Sequence, residues 1–455
     1  MAEIGTTYYF VILLWLAAFL VLLAQAWRGR APVVGLGITY WLSLAAIHFL
    51  SGLIQLLPWH KSPERMETIA GFLLTGYCMA GLLIGNVVLA PLLFAWLPSG
   101  RRLASDLPPS RELAIQYLVL GLIVNFVLAG ILHFVPSLAA VLSGGLAMAT
   151  AGLCLWWWHS WRTGQSRQMW LMAGTSLIMP VSTVVIEGFL GHGLSVLISI
   201  GGFIGVFFKP RITLVLVAIG AGLVGLSLFP AYMKARIEIR RAISGGETLQ
   251  QRFQVTYSSL EEHWGWFDSH EKSQLDAIEE RLNQNVLLGL ASHNLQNGNA
   301  RFANGETLSD AFLALIPRIF WPNKPKWAGS GDLVSRFTGM RFAAGTSVGI
   351  GHVMELYVNF GETALLVGYI VIGIVLRLLD LTAGIYLTTG AANRFVFWFV
   401  IGQSLLAVGG NFAEMAGGLA GYAVLCAVIN RFLANQRREM ETPPQFMACI
   451  DTSDR

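Results

Sequence analysis

Long apolar runs, each followed by a short polar connection, recur along almost the whole chain. Runs of spanning length fall near 6–27, 33–57, 68–97, 112–133, 137–159, 168–187, 193–208, 212–230, 363–380, 394–410 and 415–433. A helix of about 20 apolar residues crosses the hydrocarbon core, and within that core every backbone N–H and C=O must be satisfied inside the chain. These runs therefore read as spanning helices. The low charge agrees: 12% of the 455 residues are Asp, Glu, Lys or Arg, about half the usual share of a soluble domain. With 55% hydrophobic residues, too much apolar surface would remain for a soluble core, whereas a bilayer can cover it. The expected fold is all-α, a polytopic transmembrane helical bundle of about eleven spans, within a range of about 11–13.

Orientation follows from lysine and arginine in the short connections, which favour the cytoplasmic side. Connections after the first, third, fifth and seventh runs carry Arg28 and Arg30; Arg101, Arg102 and Arg111; Arg162 and Arg167; Lys209 and Arg211. The alternate connections carry only Lys61 and Arg65. The N-terminus is thus expected outside, with Arg377, Arg394, Arg431, Arg437 and Arg438 inside. The expected organisation is an N-terminal transmembrane bundle over 1–230, a large external loop over 231–345, a re-entrant segment with the C-terminal transmembrane helices over 346–433, and a cytoplasmic tail over 434–455. The first run has no basic residue before it and leads directly into another apolar run, so it reads as a span rather than a signal peptide.

A formal charge of +4 does not mark a nucleic-acid protein, because the cations sit in short clusters rather than along one face. Cys78, Cys154, Cys426 and Cys449 lie far apart and form no CxxC pair, so neither a metal site nor a disulfide scaffold is expected. The glycine-rich pieces GGFIG and VGGNF precede no Lys-Ser/Thr pair and read as close helix packing rather than phosphate loops. No cofactor and no metal is expected.

The loop 231–345 holds 13 of the 30 lysines and arginines and 12 of the 26 acids, so it is a solvated region between apolar blocks. It opens with Lys234, Arg236, Arg240 and Arg241 directly after a span and closes with the semi-apolar segment 308–320, long enough to lie on the membrane surface. Segment 259–290 reads as helical. Segment 342–361 reads as a re-entrant or partly embedded hairpin, since His352, Glu355 and Asn359 make it polar for a lipid-facing helix.

The densest polar constellation runs from IPRIFWPNKPKWAG to SRFTGMRFAAGTSVGIGHVMELYVNFG. Pro317, Pro322 and Pro325 exclude regular helix and hold Arg318 and Lys324 on a stiff turn. Trp321 and Trp327 would anchor that turn in the headgroup layer. Arginine meets a phosphate or diphosphate through a bidentate fork, and Arg336 and Arg341 continue the positive field. For Lys324 and Lys326 the competing reading is neutralisation of anionic headgroups. His352 and Glu355 are three apart and share a helix face. Either could take a proton from a hydroxyl, or orient one, and the competing role is a structural hydrogen bond inside the bundle. Ionisable groups at that depth usually line cavities. Asn359 fits a turn or cap, or an amide contact to a sugar. Glu187 with His192, and Asn411 with Glu414, fall on the side of the loop and could line one polar vestibule. His48, Asn86, Gln116 and Asn125 read as helix–helix hydrogen bonds.

The order GETL (305–308), IPRIFWPNKP (316–325), GTSVG (345–349) and ELYVNFG (355–361), after many apolar helices, resembles the Wzy-type oligosaccharide repeat-unit polymerases of bacterial envelope polysaccharide synthesis. The earlier helices match only in character. The resemblance implies a multi-pass glycosyltransferase of the bacterial inner membrane with a large periplasmic loop and an active site facing the periplasm. Its general plan is that of O-antigen ligases, shape–elongation–division glycan polymerases and GT-C-like membrane glycosyltransferases. The substrates would be undecaprenyl-diphosphate-linked oligosaccharides, joined by moving the growing chain onto a new lipid-linked repeat unit without nucleotide sugar or obligatory metal. Arg318 and Arg341 would be the catalytic arginines and, with Lys324, Arg336 and Arg240, the diphosphate contacts. Glu355 matches the acid of these polymerases, and His352 the histidine that the ligases carry late in the loop. Membrane lipids, a chain-length regulator and a flippase of the same pathway are the implied partners. Polymerase, O-antigen-type ligase and lipid-linked glycan flippase stay open, as does the choice of Glu355 or His352 as base. A transporter would show two related halves with broken helices at matching positions; the long, one-sided loop argues against it.

Overall fold

The chain is identified here through a computed structural model that describes residues 5–28, 31–95, 108–132, 135–207, 212–316, 321, 324, 331–342 and 348–441. Among these residues all regular structure is helical. The first seven helices are α1 (Thr6–Arg28), α2 (Leu36–Ile54), α3 (Arg65–Leu93), α4 (Arg111–Leu132), α5 (Leu138–Arg162), α6 (Ser166–Glu187) and α7 (Leu190–Phe207). The long α8 (Ile212–Ser244) leads into the loop helices α9 (Leu249–His263), α10 (Lys272–Leu282), α11 (Gln284–Gln296), α12 (Glu306–Ala314) and α13 (Gly331–Thr338). The chain then re-enters the bundle through α14 (Gly351–Thr388), α15 (Ala392–Gln403) and α16 (Phe412–Glu441).

Nine of the described helices are long and apolar enough to cross a bilayer: α1 to α7, α14 and α16. The protein is therefore a multi-spanning, all-α membrane bundle. The other two of the eleven expected runs also lie in helices. The run 212–230 forms the first part of the 33-residue α8, and 394–410 forms the 12-residue α15 followed by a short 3-10 turn, Ser404–Leu406. Segment 259–290 is helical in three pieces, the end of α9, α10 and the start of α11. It breaks between α9 and α10 at the stretch holding Gly265 and Asp268, whose carboxylate accepts from the His270 N–H at 2.9 Å.

Small residues decide which helices touch. On α4 and α5, Gly121, Gly145 and Gly152 let the two backbones approach until any Cβ there would overlap the neighbour. The opposite side of α4 presents Val119, Ile123, Val127 and Ile131, one per turn and all exposed, as a stripe for lipid. Three π-turns each widen a span around one polar residue: His48 in Ala45–Phe49, Asn86 in Ile84–Leu89 and Asn125 in Ile123–Leu128. Asn86 donates to the Gly373 carbonyl at 3.4 Å and Asn125 to Glu187 at 2.8 Å, both between spans. His48 differs from the helix–helix expectation. Its Nδ1 meets Asn285 Oδ1 at 2.7 Å, on loop helix α11.

That contact shows how deep the loop reaches. Asn285 also donates to the His48 carbonyl and to Ser51, each at 2.8 Å. Gly71 of α3 and Gly289 of α11 give the close approach, each facing the other helix's backbone. A buried pair of His60 and Glu279 at 2.7 Å, with Gln55 also donating to Glu279, ties α10 to the α2–α3 connection. At the other end of the bundle, Asp380 of α14 accepts the N–H groups of Val34, Gly35 and Leu36 on one oxygen, at 2.7, 2.9 and 3.2 Å. A carboxylate there satisfies the orphan donors at the start of α2 and suits the positive end of its dipole. From sequence Arg377, buried nearby, reads only as a cytoplasmic-side cation, and Asp380 is passed over.

Candidate functional site

The site grows from a break in α14. Gly351–Asn359 is helical and buried throughout. Phe360 (φ −144°, ψ 23°) and Gly361 (φ 66°, ψ −149°) then leave the helical region before the helix resumes. Gly361 sits where a side chain is hardly tolerated. Asn359, the last residue before the break, is buried and uses its whole amide. Its Oδ1 accepts from the Gly305 N–H at 2.8 Å, and its Nδ2 donates to Thr307 Oγ1 and to the Glu355 carbonyl, both at 2.7 Å. The Ala303 N–H donates to the Val358 carbonyl at 2.9 Å. The GETL segment is thereby fixed against the broken helix.

Glu355 lies one turn earlier and is 1% exposed. Its Oε2 accepts the Phe412 N–H at 2.7 Å, at the start of α16, where a helix favours an anion. The Thr307 hydroxyl reaches the same carboxylate, and the Glu414 and Asp310 carboxylates lie close enough to interact with it. Asn411 caps this end of α16 by accepting the Glu414 N–H at 2.7 Å. His352 is also 1% exposed. Its ring stacks on Phe412 with centroids 4.8 Å apart, and its Nδ1 meets the Tyr40 hydroxyl at 3.2 Å. Among the described residues its Nε2 has no hydrogen-bond partner. His352 and Glu355 are thus joined through Phe412, one by its ring and the other by its N–H.

The cations divide. Arg336 on α13 meets both oxygens of Glu306 at 3.0 Å, with both side chains about half exposed. Lys324 donates to the Ala314 and Ile316 carbonyls at 2.6 and 2.8 Å, closing the C-terminal end of α12 as a cation suits it. Arg341 is exposed. Arg240 stands elsewhere, 4.4 Å over the Phe189 ring, beside the apolar cluster of Val184, Tyr232, Ala235 and Ile239. Glu187 joins that second region. It accepts from Asn125 at 2.8 Å and pairs with His192 at 2.6 Å. Of the sequence candidates, Glu355, His352, Asn359, Asn411 and Glu414 are gathered around one helix break, while Glu187 and Arg240 form a separate group. Arg318, with Pro317, Pro322, Pro325, Lys326 and Trp327, lies outside the described residues.

Sequence reasoning passed over Thr307, Phe412, Tyr40 and Glu306. The first and last sit in GETL, a motif noted as a string and not as contacts. Tyr40 and Phe412 carry no local signal and come from distant helices. Among the described residues no group of His, Cys, Asp and Glu is placed to hold a metal ion. No protein-family model matches the chain, and neither a curated protein nor a solved structure matches it significantly.

Proposed function

We propose that this chain is a membrane glycosyltransferase that polymerises undecaprenyl-diphosphate-linked oligosaccharide repeat units into an envelope polysaccharide, at the loop-bearing face of a bacterial inner membrane. The observation that carries the reading is the held carboxylate of Glu355, next to a helix break inside a multi-spanning bundle. Ionisable groups at such a depth are costly and belong where they do work. The motif order from GETL to ELYVNFG supports the class.

In the reaction the acceptor hydroxyl oxygen attacks the anomeric carbon of the donor chain. The bond from that carbon to the lipid diphosphate breaks, and the diphosphate leaves with its prenyl carrier in the bilayer. Glu355 takes the hydroxyl proton, a role worth about 10²–10⁴-fold in rate. His352 is enclosed by Tyr40 and Phe412, an arrangement suited to fixing the start of α16. Negative charge on the leaving group is met by guanidinium groups of the loop. Arg336 already serves Glu306 and Lys324 serves carbonyls, so Arg341 and Arg318 are the stronger diphosphate contacts.

Deleting the gene tests the class. Single lipid-linked repeat units should accumulate as polymer disappears. Long lipid-linked chains that persist without reaching a separate acceptor would mark a ligase instead, and repeat units trapped on the cytosolic leaflet a flippase.

A further inference from the structure

The end of α8 and the whole of α9 carry an apolar surface that the site does not use. Leu249, Phe253 and Tyr257, spaced by four along α9, are 62%, 54% and 61% exposed, and Trp264 and Trp266 just beyond are 43% and 69% exposed. On one side of this stripe lie Thr256 and Ser259, which are buried against the protein, with Arg252 and His263 partly so. On its other side lie Gln250, Gln254, Ser258 and Glu261, all exposed. At about 100° per residue the helix thus has three sectors: protein, apolar and aqueous.

Contacts of α8 and α9 set the height of this surface. Tyr232 donates to the Gly188 carbonyl at 2.8 Å, in the turn between the spans α6 and α7. Arg240 covers Phe189 of the same turn, and a Cβ at Gly188 would meet Ile243 at 3.0 Å. These contacts, from residue 232 to residue 243, hold the second half of α8 against the turn between α6 and α7. α9 runs beside it, since Ser259 donates to Glu238 at 2.7 Å and Leu260 packs on the Tyr232–Ile239 cluster. Finally, the Phe267 N–H donates to Ser227 Oγ at 2.9 Å, which holds the two exposed tryptophans level with the end of the apolar run 212–230.

We propose that α9 lies flat in the headgroup layer of the loop-side leaflet, with Leu249, Phe253, Tyr257, Trp264 and Trp266 as its lipid contact. Tryptophan and tyrosine favour this layer, and a helix with one apolar and one polar flank rests in its plane. The exposed Lys234 and Arg241 beside it suit anionic headgroups. The inference stands apart from the proposed chemistry.

Nitroxide labels on the full-length protein test it, in nanodiscs of phosphatidylethanolamine and phosphatidylglycerol. Labels would replace Phe253, Tyr257, Gln254 and Ser258 one at a time, with Cys449 changed to serine. Labels at 253 and 257 should collide more with oxygen than with a water-soluble nickel complex, and labels at 254 and 258 the reverse. Equal access of the nickel complex to all four would overturn the proposal in favour of a solvated helix. Protection of 253 and 257 from both reagents would overturn it in favour of a protein partner or a second copy.

Discussion

Asn359 illustrates how much one buried amide can determine. Two of its three hydrogen bonds connect the last turn before the helix break to the loop at Gly305 and to Thr307, and Thr307 in turn reaches Glu355. From sequence it was legible only as a turn, cap or sugar contact, because its partners lie far away along the chain. Replacing it by leucine leaves the Gly305 N–H and the Thr307 hydroxyl short of a partner, at about 1–3 kcal/mol for each orphaned group. Asn359→Leu is expected to lower the Tm in detergent, and Asn359→Asp, which keeps the acceptor for Gly305, to lower it less. Equal melting of both variants and the parent would show that this amide does not hold the segment. Glu355 was legible for a different reason. An acid inside an otherwise apolar stretch stands out by its cost alone.

At the scale of elements, the periodic apolar signal located the spans, and local backbone chemistry explains the departures. A run of apolar residues cannot reveal that α15 ends in a 3-10 turn at Ser404–Leu406, because hydropathy does not record where a helix ends. Nor does it reveal the π-turns, which take shape only when a polar residue finds its partner on another element. The break in α14 had a visible cue, the glycine after Asn359 and Phe360, yet the cue fitted a hairpin as well as a kink. Gly361 adopts φ 66° and ψ −149°, so an alanine there carries a strain of about 1–3 kcal/mol. Gly361→Ala should lower the Tm and reduce polymer formation together, because straightening the helix pulls Glu355 from Thr307 and Phe412. Full polymer yield from this variant would mean that the break is not needed.

For the whole molecule, composition alone gave the membrane bundle, since no other environment accommodates so little charge. Its sidedness rests on cation placement in the short connections. A cysteine at Asn297, exposed after α11, should react with an impermeant maleimide in intact cells with a permeable outer layer. One at Gln436, exposed near the end of α16, should react only after lysis. The reverse pattern would put the loop on the cytosolic side and remove the lipid-linked donor from its reach. What sequence could not supply was depth. The loop is not a separate solvated unit, because α11 buries Asn285 and Leu288 against the spans. The most direct measurement is chain extension by the purified full-length protein, supplied only with undecaprenyl-diphosphate-linked repeat units and resolved by product length. A ladder is expected from the parent, reduced about 10²–10⁴-fold in Glu355→Gln at unchanged Tm. Repeat units left unextended by the parent, or a ladder undiminished in Glu355→Gln, would contradict glycosyl transfer at this site.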